Sequence, residues 1–592
     1  MKQFFKFVFA SFVGTLLFGI VAGFFALITI AGMIAMQDST EKIEDNSVLV
    51  LNLSGQLAER GEDNFFGQLQ GNATSSIGLD NLLEGIHKAK DNNNVKGIYI
   101  EAGAFAADSY ASMQALRNAL LDFKKSGKWI VAYGDTYTQG TYYLASAADK
   151  IYLNPQGQID WHGLSSQPVF VKDLLAKVGV KMQVVKVGAY KSATEMFTGD
   201  RMSAANREQT SAYLNSIWGN ITKEVGASRR LSTAQLNAYA DSMITFAAPE
   251  TYVKLKLVDG LVYTDQMKGI VKKRLGLKSD DAIEQVTVAD LQNAEDETQD
   301  DGDSQIAVYY AYGDIVDGAV GGMFAQNHKI DAQKVCKDLE ELAEDKEIKA
   351  VVLRVNSGGG SAYASEQIWH QIMELKKKKP VVVSMGGMAA SGAYYMSAPA
   401  DWIVAEPTTL TGSIGIFGMF PDASSLFAEK LGVRFDEVKT NKYAGFGTQA
   451  RPFTEDEMAY LTQYVNRGYR LFRHRVAEGR KMTDSQVEKI AQGHVYTGQD
   501  AQKIGLVDQL GGLDTAIAKA VRLAKLTGYS TCVYPEEPGF LEQLLEQTKP
   551  DNYLSEQLRA NLGDYYEPFS LLKTLNHQSA IQARLPYFPN IH

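Results

Sequence analysis

A chain of 592 residues, 45% hydrophobic and 10% aromatic, is too long for one core and too apolar to stay unfolded, so it predicts several packed domains. Its net charge of −10 and pI near 5.5 exclude nucleic acid as the main partner, because phosphate binding needs a basic surface. No Gly-x-x-x-x-Gly-Lys-Ser/Thr loop occurs, which argues against an ATP-driven machine, and the two cysteines, Cys336 and Cys532, do not decide the redox compartment.

The first predicted element is a membrane anchor. Phe7 to Met36 is 30 residues without a charge, after Lys2 and Lys6 and before Glu41, Glu44 and Asp45. The run exceeds the roughly 20 residues that cross a bilayer and is longer than the core of a usual signal peptide. No clear Ala-x-Ala site comes after it, so it reads as uncleaved, with a cleaved export signal as the alternative. The leading lysines place the N-terminus in the cytoplasm and the rest of the chain outside.

Beyond the anchor, one pattern is written twice. Val48–Leu57 resembles Ile306–Ile315, each a short apolar strand ending in a Gly turn. Val95–Glu101 matches Ile348–Arg354, Trp129–Tyr133 matches Pro380–Ser384, Gly140–Asp149 matches Gly392–Asp401, and Leu257-Val-Asp259 matches Leu506-Val-Asp508. Offsets that drift by only a few residues indicate two full-length copies. Helix-spaced segments such as Ser112–Lys125 and Ser365–Lys377 lie between the β-rich runs, so each copy is expected to be an α/β domain of βαβ units on a mainly parallel sheet. The predicted division is an anchor over 1–45, an N-terminal repeat over 46–290, an acidic linker over 291–304 with six carboxylates in nine residues, a C-terminal repeat over 305–530, and an appendage over 531–592. Pro535, Pro538 and Pro550 and an amphipathic run, Phe540–Gln547, mark that appendage.

The copies differ where chemistry would sit. Val355-Asn-Ser-Gly-Gly-Gly-Ser361 comes after an apolar strand and leaves backbone N–H groups bare for an oxyanion; the first copy has Ala102–Asp108 there, with one glycine. A turn that was merely architectural should survive in both. Ser391 sits at a strand-to-helix elbow, where it is either a nucleophile or an ordinary N-cap. The eight histidines offer no compact arrangement, so its base would be a lysine whose pKa burial lowers. Lys191 ends a strand and turn in the first copy. Gln139 to Lys191 and Ser391 to Tyr443 both span 52 residues, the pattern expected if one Ser-Lys site was duplicated and each copy lost a different half. Lys442, in the serine's own copy, is the rival base, and Ser413 stands on a turn that would reach the amine.

On Asn356–Ser361, Met388–Tyr395, Leu410–Gly415, Tyr190–Ala193 and Thr497–Asp508, the chain resembles the SppA signal peptide peptidase family in its long, duplicated bacterial form, over about residues 45–530. The resemblance implies a Clp-protease/crotonase-like fold in each repeat, with Ser391 as nucleophile, Lys191 as general base, the N–H groups of Gly359 and Gly392 as oxyanion donors, and Ser413 orienting the lysine. Gly358 departs from the proline the family has before its glycine pair. It further implies a membrane-anchored serine endopeptidase acting on cleaved signal peptides at the outer face of the cytoplasmic membrane. The assembly would be a homotetramer, without metal or cofactor. Two rivals remain, a crotonase-type acyl-CoA enzyme and a catalytically inactive membrane scaffold.

Overall fold

In each half, runs such as Ile130–Tyr133 and Val381–Ser384 have little room to alternate, and they become parallel strands buried on both faces. The computed structural model describes residues 42–61, 76–294, 304–318, 328–536 and 581–584, together with scattered positions among the first 24. The N-terminal sheet runs in the order Ser76–Gly78, Ser47–Ala58, Val95–Ala107, Trp129–Tyr137, Lys150–Ile159, Gly260–Leu261, with Gln285–Val286 also on Ser47–Ala58. Every pairing in it is parallel. The C-terminal sheet repeats the plan with Gln305–Tyr312, Ile348–Ser357, Val381–Ala390 and Trp402–Ala405.

The duplication extends to single hydrogen bonds. Tyr142 donates to the Leu257 carbonyl at 2.8 Å, as Tyr394 does to Leu506 at 2.9 Å. Asp149 accepts from the Ile130 amide at 2.8 Å, as Asp401 does from Val381 at 2.9 Å. Two 26-residue helices, Ala204–Arg229 and Glu455–Arg480, start on Ser203 and Thr454 caps and end on left-handed Arg230 and Lys481. The helices expected over Ser112–Lys125 and Ser365–Lys377 occupy Tyr110–Lys124 and Ala362–Lys376.

The two copies are packed into each other. Met388, Ala390, Leu410 and Val495 join the N-terminal core, and Val185 joins the C-terminal one. Arg354 bridges to Glu59 at 2.5 Å with both side chains buried, and Asn356 donates to Glu59 and Asp108 at 2.9 and 2.8 Å. A third sheet stitches the halves. The N-terminal repeat's Lys181–Lys186 pairs antiparallel with Phe417–Asp422 of the C-terminal repeat, and Lys186 lies opposite Phe417. This crossover sets where Lys191, five residues on, must fall.

Residues beyond 530, expected as an appendage, contribute to both C-terminal sheets. Ser530–Tyr534 pairs parallel with Gln305–Tyr309, and Ile581–Arg584 enters the third sheet. The short Ser-Thr-Cys-Val-Tyr run fits an edge strand, partly exposed along its length, and it stops just before Pro535, while Pro538 and Pro550 lie outside the described residues. Phe540–Gln547 lies outside the described residues. So does most of the acidic linker, although Leu291 and Gln292 close a helix on the N-terminal core, with Gln292 donating to Asn81 at 3.0 Å. Within the expected anchor, positions 11–21 are helical, with Phe12, Leu16 and Phe18 exposed, and 25–36 fall outside the described residues. Among the described residues no helix is long and apolar enough to cross a membrane.

Candidate active site

The strand Val381–Ala390 is buried along its whole length and delivers Ser391 at its end. Ser391 has φ 56° and ψ −114°, a conformation that L-residues seldom hold unless the surroundings impose it. Its amide donates to the Gly412 carbonyl at 2.8 Å, which fixes the elbow against the neighbouring strand. The ordinary N-cap alternative fails here, because the Ser391 side chain caps nothing in the helix Gly392–Ser397. Its Oγ points to Lys191 instead.

Lys191 Nζ lies 2.7 Å from Ser391 Oγ, 3.0 Å from Ser413 Oγ and 3.1 Å from the Ser413 carbonyl. Lys191 is 1% exposed and both serines are fully buried. Burial, with no carboxylate opposing it, holds the ammonium's pKa well below the ordinary lysine value. A neutral amine suits these three neighbours: two N–H groups reach Ser413, and the lone pair faces the Ser391 hydroxyl.

The lysine is carried in by the antiparallel strand Lys181–Lys186 and then clamped from the C-terminal repeat. Tyr190 donates its amide to the Gln492 carbonyl at 2.9 Å. Gly493 lies so close that a Cβ on it would stand 2.6 Å from the Lys191 amide nitrogen, so only glycine fits. Gln209 donates to the Tyr190 carbonyl at 3.0 Å and to Ser192 Oγ at 3.2 Å, and accepts from the Val495 amide at 3.2 Å. Sequence reading missed Gln492, Gly493 and Gln209. They act on the backbone around the lysine, and no local motif marks them.

Gly359 has φ 100°, and a Cβ there would sit 2.7 Å from the Gly392 nitrogen, so these two expected donors face the same space. The Gly359 N–H is 3.0 Å from Ser357 Oγ, a bond it would share or leave when an oxyanion arrives. Ser413 holds φ 50°, with its amide donating to the His494 carbonyl at 2.7 Å. Lys442, the rival base, is remote: it is exposed and hydrogen-bonded to Asp456, which raises its pKa. Among the described residues no group of three or more His, Cys, Asp or Glu side chains is arranged to hold a metal ion.

At the equivalent elbow of the first copy, Gln139 accepts from the amides of His162 and Gly163 at 3.2 and 3.0 Å, and donates to the Gly163 carbonyl and the Tyr110 hydroxyl, both at 3.1 Å. The strand Val95–Ala107 continues where the second copy turns through its glycines. That elbow is a plugged joint with no nucleophile.

Known proteins resemble this chain over most of its length. Peptidase family S49 matches residues 122–278 and again 373–527, and Clp protease matches residues 308–402. The chain is 38% identical to Protease 4 of Salmonella typhi over 84% of its own length and 82% of that protein's. It is 34% identical to Protease 4 of Haemophilus influenzae over 81% and 80%, and 32% identical to the chloroplastic serine protease SPPA of Arabidopsis thaliana over 82% and 70%.

Proposed function

We propose, from the premise that the chain belongs to peptidase family S49 and is a serine protease, that Ser391 is its nucleophile and Lys191 its general base. The observation that carries this is the 2.7 Å contact between a buried amine and a buried hydroxyl supplied by different repeats. Neutral Lys191 takes the Ser391 proton as Oγ attacks a peptide carbonyl carbon. The N–H groups of Gly359 and Gly392 receive the oxyanion, and protonated Lys191 returns its proton to the leaving amine. Water activated by the same lysine then opens the ester. Ser413 holds the amine through its hydroxyl and carbonyl and stabilises the ammonium formed between the two steps.

The chain then divides its labour among an anchor and cytoplasmic stub over 1–45, a base-donating repeat over 46–290, a linker over 291–304, and a nucleophile-bearing repeat over 305–530. The enzyme would sit on the outer face of the cytoplasmic membrane and take membrane-bound peptides such as signal peptide remnants, whose local concentration the anchor raises. The charge-free run Phe7–Met36 behind Lys2 and Lys6 supports that placement. A homotetramer is supported by the second copy's 433–438, the counterpart of the crossover strand. It has no strand partner among the described residues and exposes Val433, Phe435 and Val438.

The test is hydrolysis of a fluorogenic peptide by the purified protein and its variants. Ser391→Ala and Lys191→Ala should abolish turnover and Lys442→Ala should leave it intact; an active Lys191→Ala protein with a dead Lys442→Ala one refutes the split site.

A further inference from the structure

Between the glycine turn and the serine elbow, the two central strands of the C-terminal sheet slip past each other. Val355 lies opposite Met385 but Ser357 lies opposite Ala389, so Asn356 alone faces Gly386, Gly387 and Met388. This bulge takes up two residues, about 7 Å of strand, and brings Ser391 back level with the turn after Ile348–Ser357. In a regular ladder Gly392 would lie that far beyond Gly359. In the first copy the matching ladder simply ends, at Ala102 opposite Gly134, and Gly103 stands in the place of Asn356.

A bulge strips backbone groups of their ladder partners, and side chains replace them here. Asn356 Oδ1 accepts from the Met388 amide at 3.0 Å, and Thr409 Oγ1 donates to the Gly386 carbonyl at 2.7 Å. The first repeat decides which end of the Asn356 amide faces the bulge. Nδ2 donates to Glu59 Oε2 at 2.9 Å and to Asp108 Oδ2 at 2.8 Å, and Glu59, ion-paired to Arg354, can only accept there. Arg354 also donates to Ser384 Oγ at 3.0 Å and to the Met385 carbonyl at 3.3 Å, where the slip begins. Glu59, Arg354 and Asn356 are all buried, and a Cβ on Gly386 would stand 2.8 Å from Glu59 Oε2. Asn356 is three residues before Gly359, and Met388 is four before Gly392. One side chain therefore ties both expected oxyanion donors together. Gly358 lends the turn between them no stiffness of its own.

We propose that Asn356 is a positioning residue for the oxyanion site, held in its working orientation by Glu59 and Asp108 of the first repeat. This rests on reading Ser391 and Lys191 as the working pair and Gly359 and Gly392 as the donors. The first repeat then serves the reaction twice, with the base and with the carboxylates that set the distance between the donors. Their effect falls on the transition state, since the donors meet full negative charge only there.

The test is kcat, KM and the Ki of a peptide aldehyde, whose hemiacetal oxygen uses the same donors, for Asn356→Ala, Asp108→Ala and Asp108→Asn proteins. Asn356→Ala should lower kcat roughly 10²-fold with KM within about 2-fold, and raise the aldehyde Ki by the same factor as kcat/KM falls. The rise of kcat with pH should stay where Lys191 sets it. Asp108 is exposed, so its variants take nothing from the core. Asp108→Ala should lower kcat about 5-fold, and Asp108→Asn, whose amide oxygen still accepts from Nδ2, should restore it. Should Asn356→Ala fail to fold, the Asp108 pair decides. A folded Asn356→Ala protein with kcat near wild type overturns the proposal, as does a loss carried by KM, a shifted pH limb, or an Asp108→Asn protein as slow as Asp108→Ala. Failure of the underlying pair looks different: Ser391→Ala would hydrolyse peptide as wild type does.

Discussion

Gln139 and Ser391 stand at the same elbow of two copies of one fold, and their surroundings show what duplication can keep and what it can shed. Both copies retain the tyrosine that reaches across to the downstream Leu carbonyl and the aspartate that ties one strand to the next. These bonds satisfy buried backbone groups, so losing them would cost stability in either copy. Ser391 instead holds a strained backbone and faces an amine, neither of which the scaffold needs. Gln139 makes four hydrogen bonds to the loop and tyrosine around it, and closes its joint. The lysine shows the converse. In the first copy the segment 181–191 crosses to the partner repeat and Lys191 is buried; in the second, Lys442 stays at the surface on Asp456.

That contrast breaks most sharply at the paired positions. Ser391→Ala or Lys191→Ala should lower kcat/KM by ~10⁴-fold or more, with the fold intact by circular dichroism. Gln139→Ala, at the matching elbow, should leave kcat within about 2-fold but lower Tm, since two amide N–H groups lose their acceptor at about 1–3 kcal/mol. A Gln139→Ala protein as inactive as Ser391→Ala would end the asymmetry. Gly359→Ala places a methyl against the Gly392 nitrogen at φ 100° and should cost roughly 10²-fold in kcat, while the alanines at 104, 106 and 107 already serve the first copy.

Smaller effects concern protonation. Activity should rise with pH along a limb set by Lys191, at a pH well below the ordinary lysine value of 10.5, because only the neutral amine accepts the serine's proton. Ser413→Ala removes a hydroxyl that stabilises the ammonium. It should move that limb to lower pH and reduce kcat by about 5-fold, the equivalent of one hydrogen bond. Stability moves with pH in the same direction. Between Lys191's lowered pKa and 10.5 the unfolded chain holds a proton that the folded chain lacks, so stability climbs with pH across that window and is reduced below it. Lys191→Met lifts this penalty and should raise Tm at neutral pH while abolishing activity, whereas Lys442→Met, at an exposed lysine, should change neither.

The duplicated α/β plan, the elbow at Ser391 and the pairing with Lys191 were legible because they are written in local pattern and in a shared interval of 52 residues. The crossover of Lys181–Lys186 onto Phe417–Asp422 was not, since any short amphipathic strand reads alike whichever sheet it joins. Gly493 and Gln209 were silent for the same reason: their role comes from the close approach of backbones far apart in sequence. Ile581-Gln-Ala-Arg584 carries no strand signal strong enough to stand out, and its place is set by two partner edges that complete it.

The central claim, that a lysine from one copy activates a serine in the other, is tested most directly by the rate at which a serine-directed phosphonate labels Ser391 as pH is raised, tracked by intact mass in wild type, Lys191→Ala and Lys442→Ala proteins. The account predicts labelling of wild type and Lys442→Ala along one shared limb well below the ordinary lysine range, and none of Lys191→Ala. Labelling of Lys191→Ala at the wild-type rate, or its loss in Lys442→Ala, would contradict it.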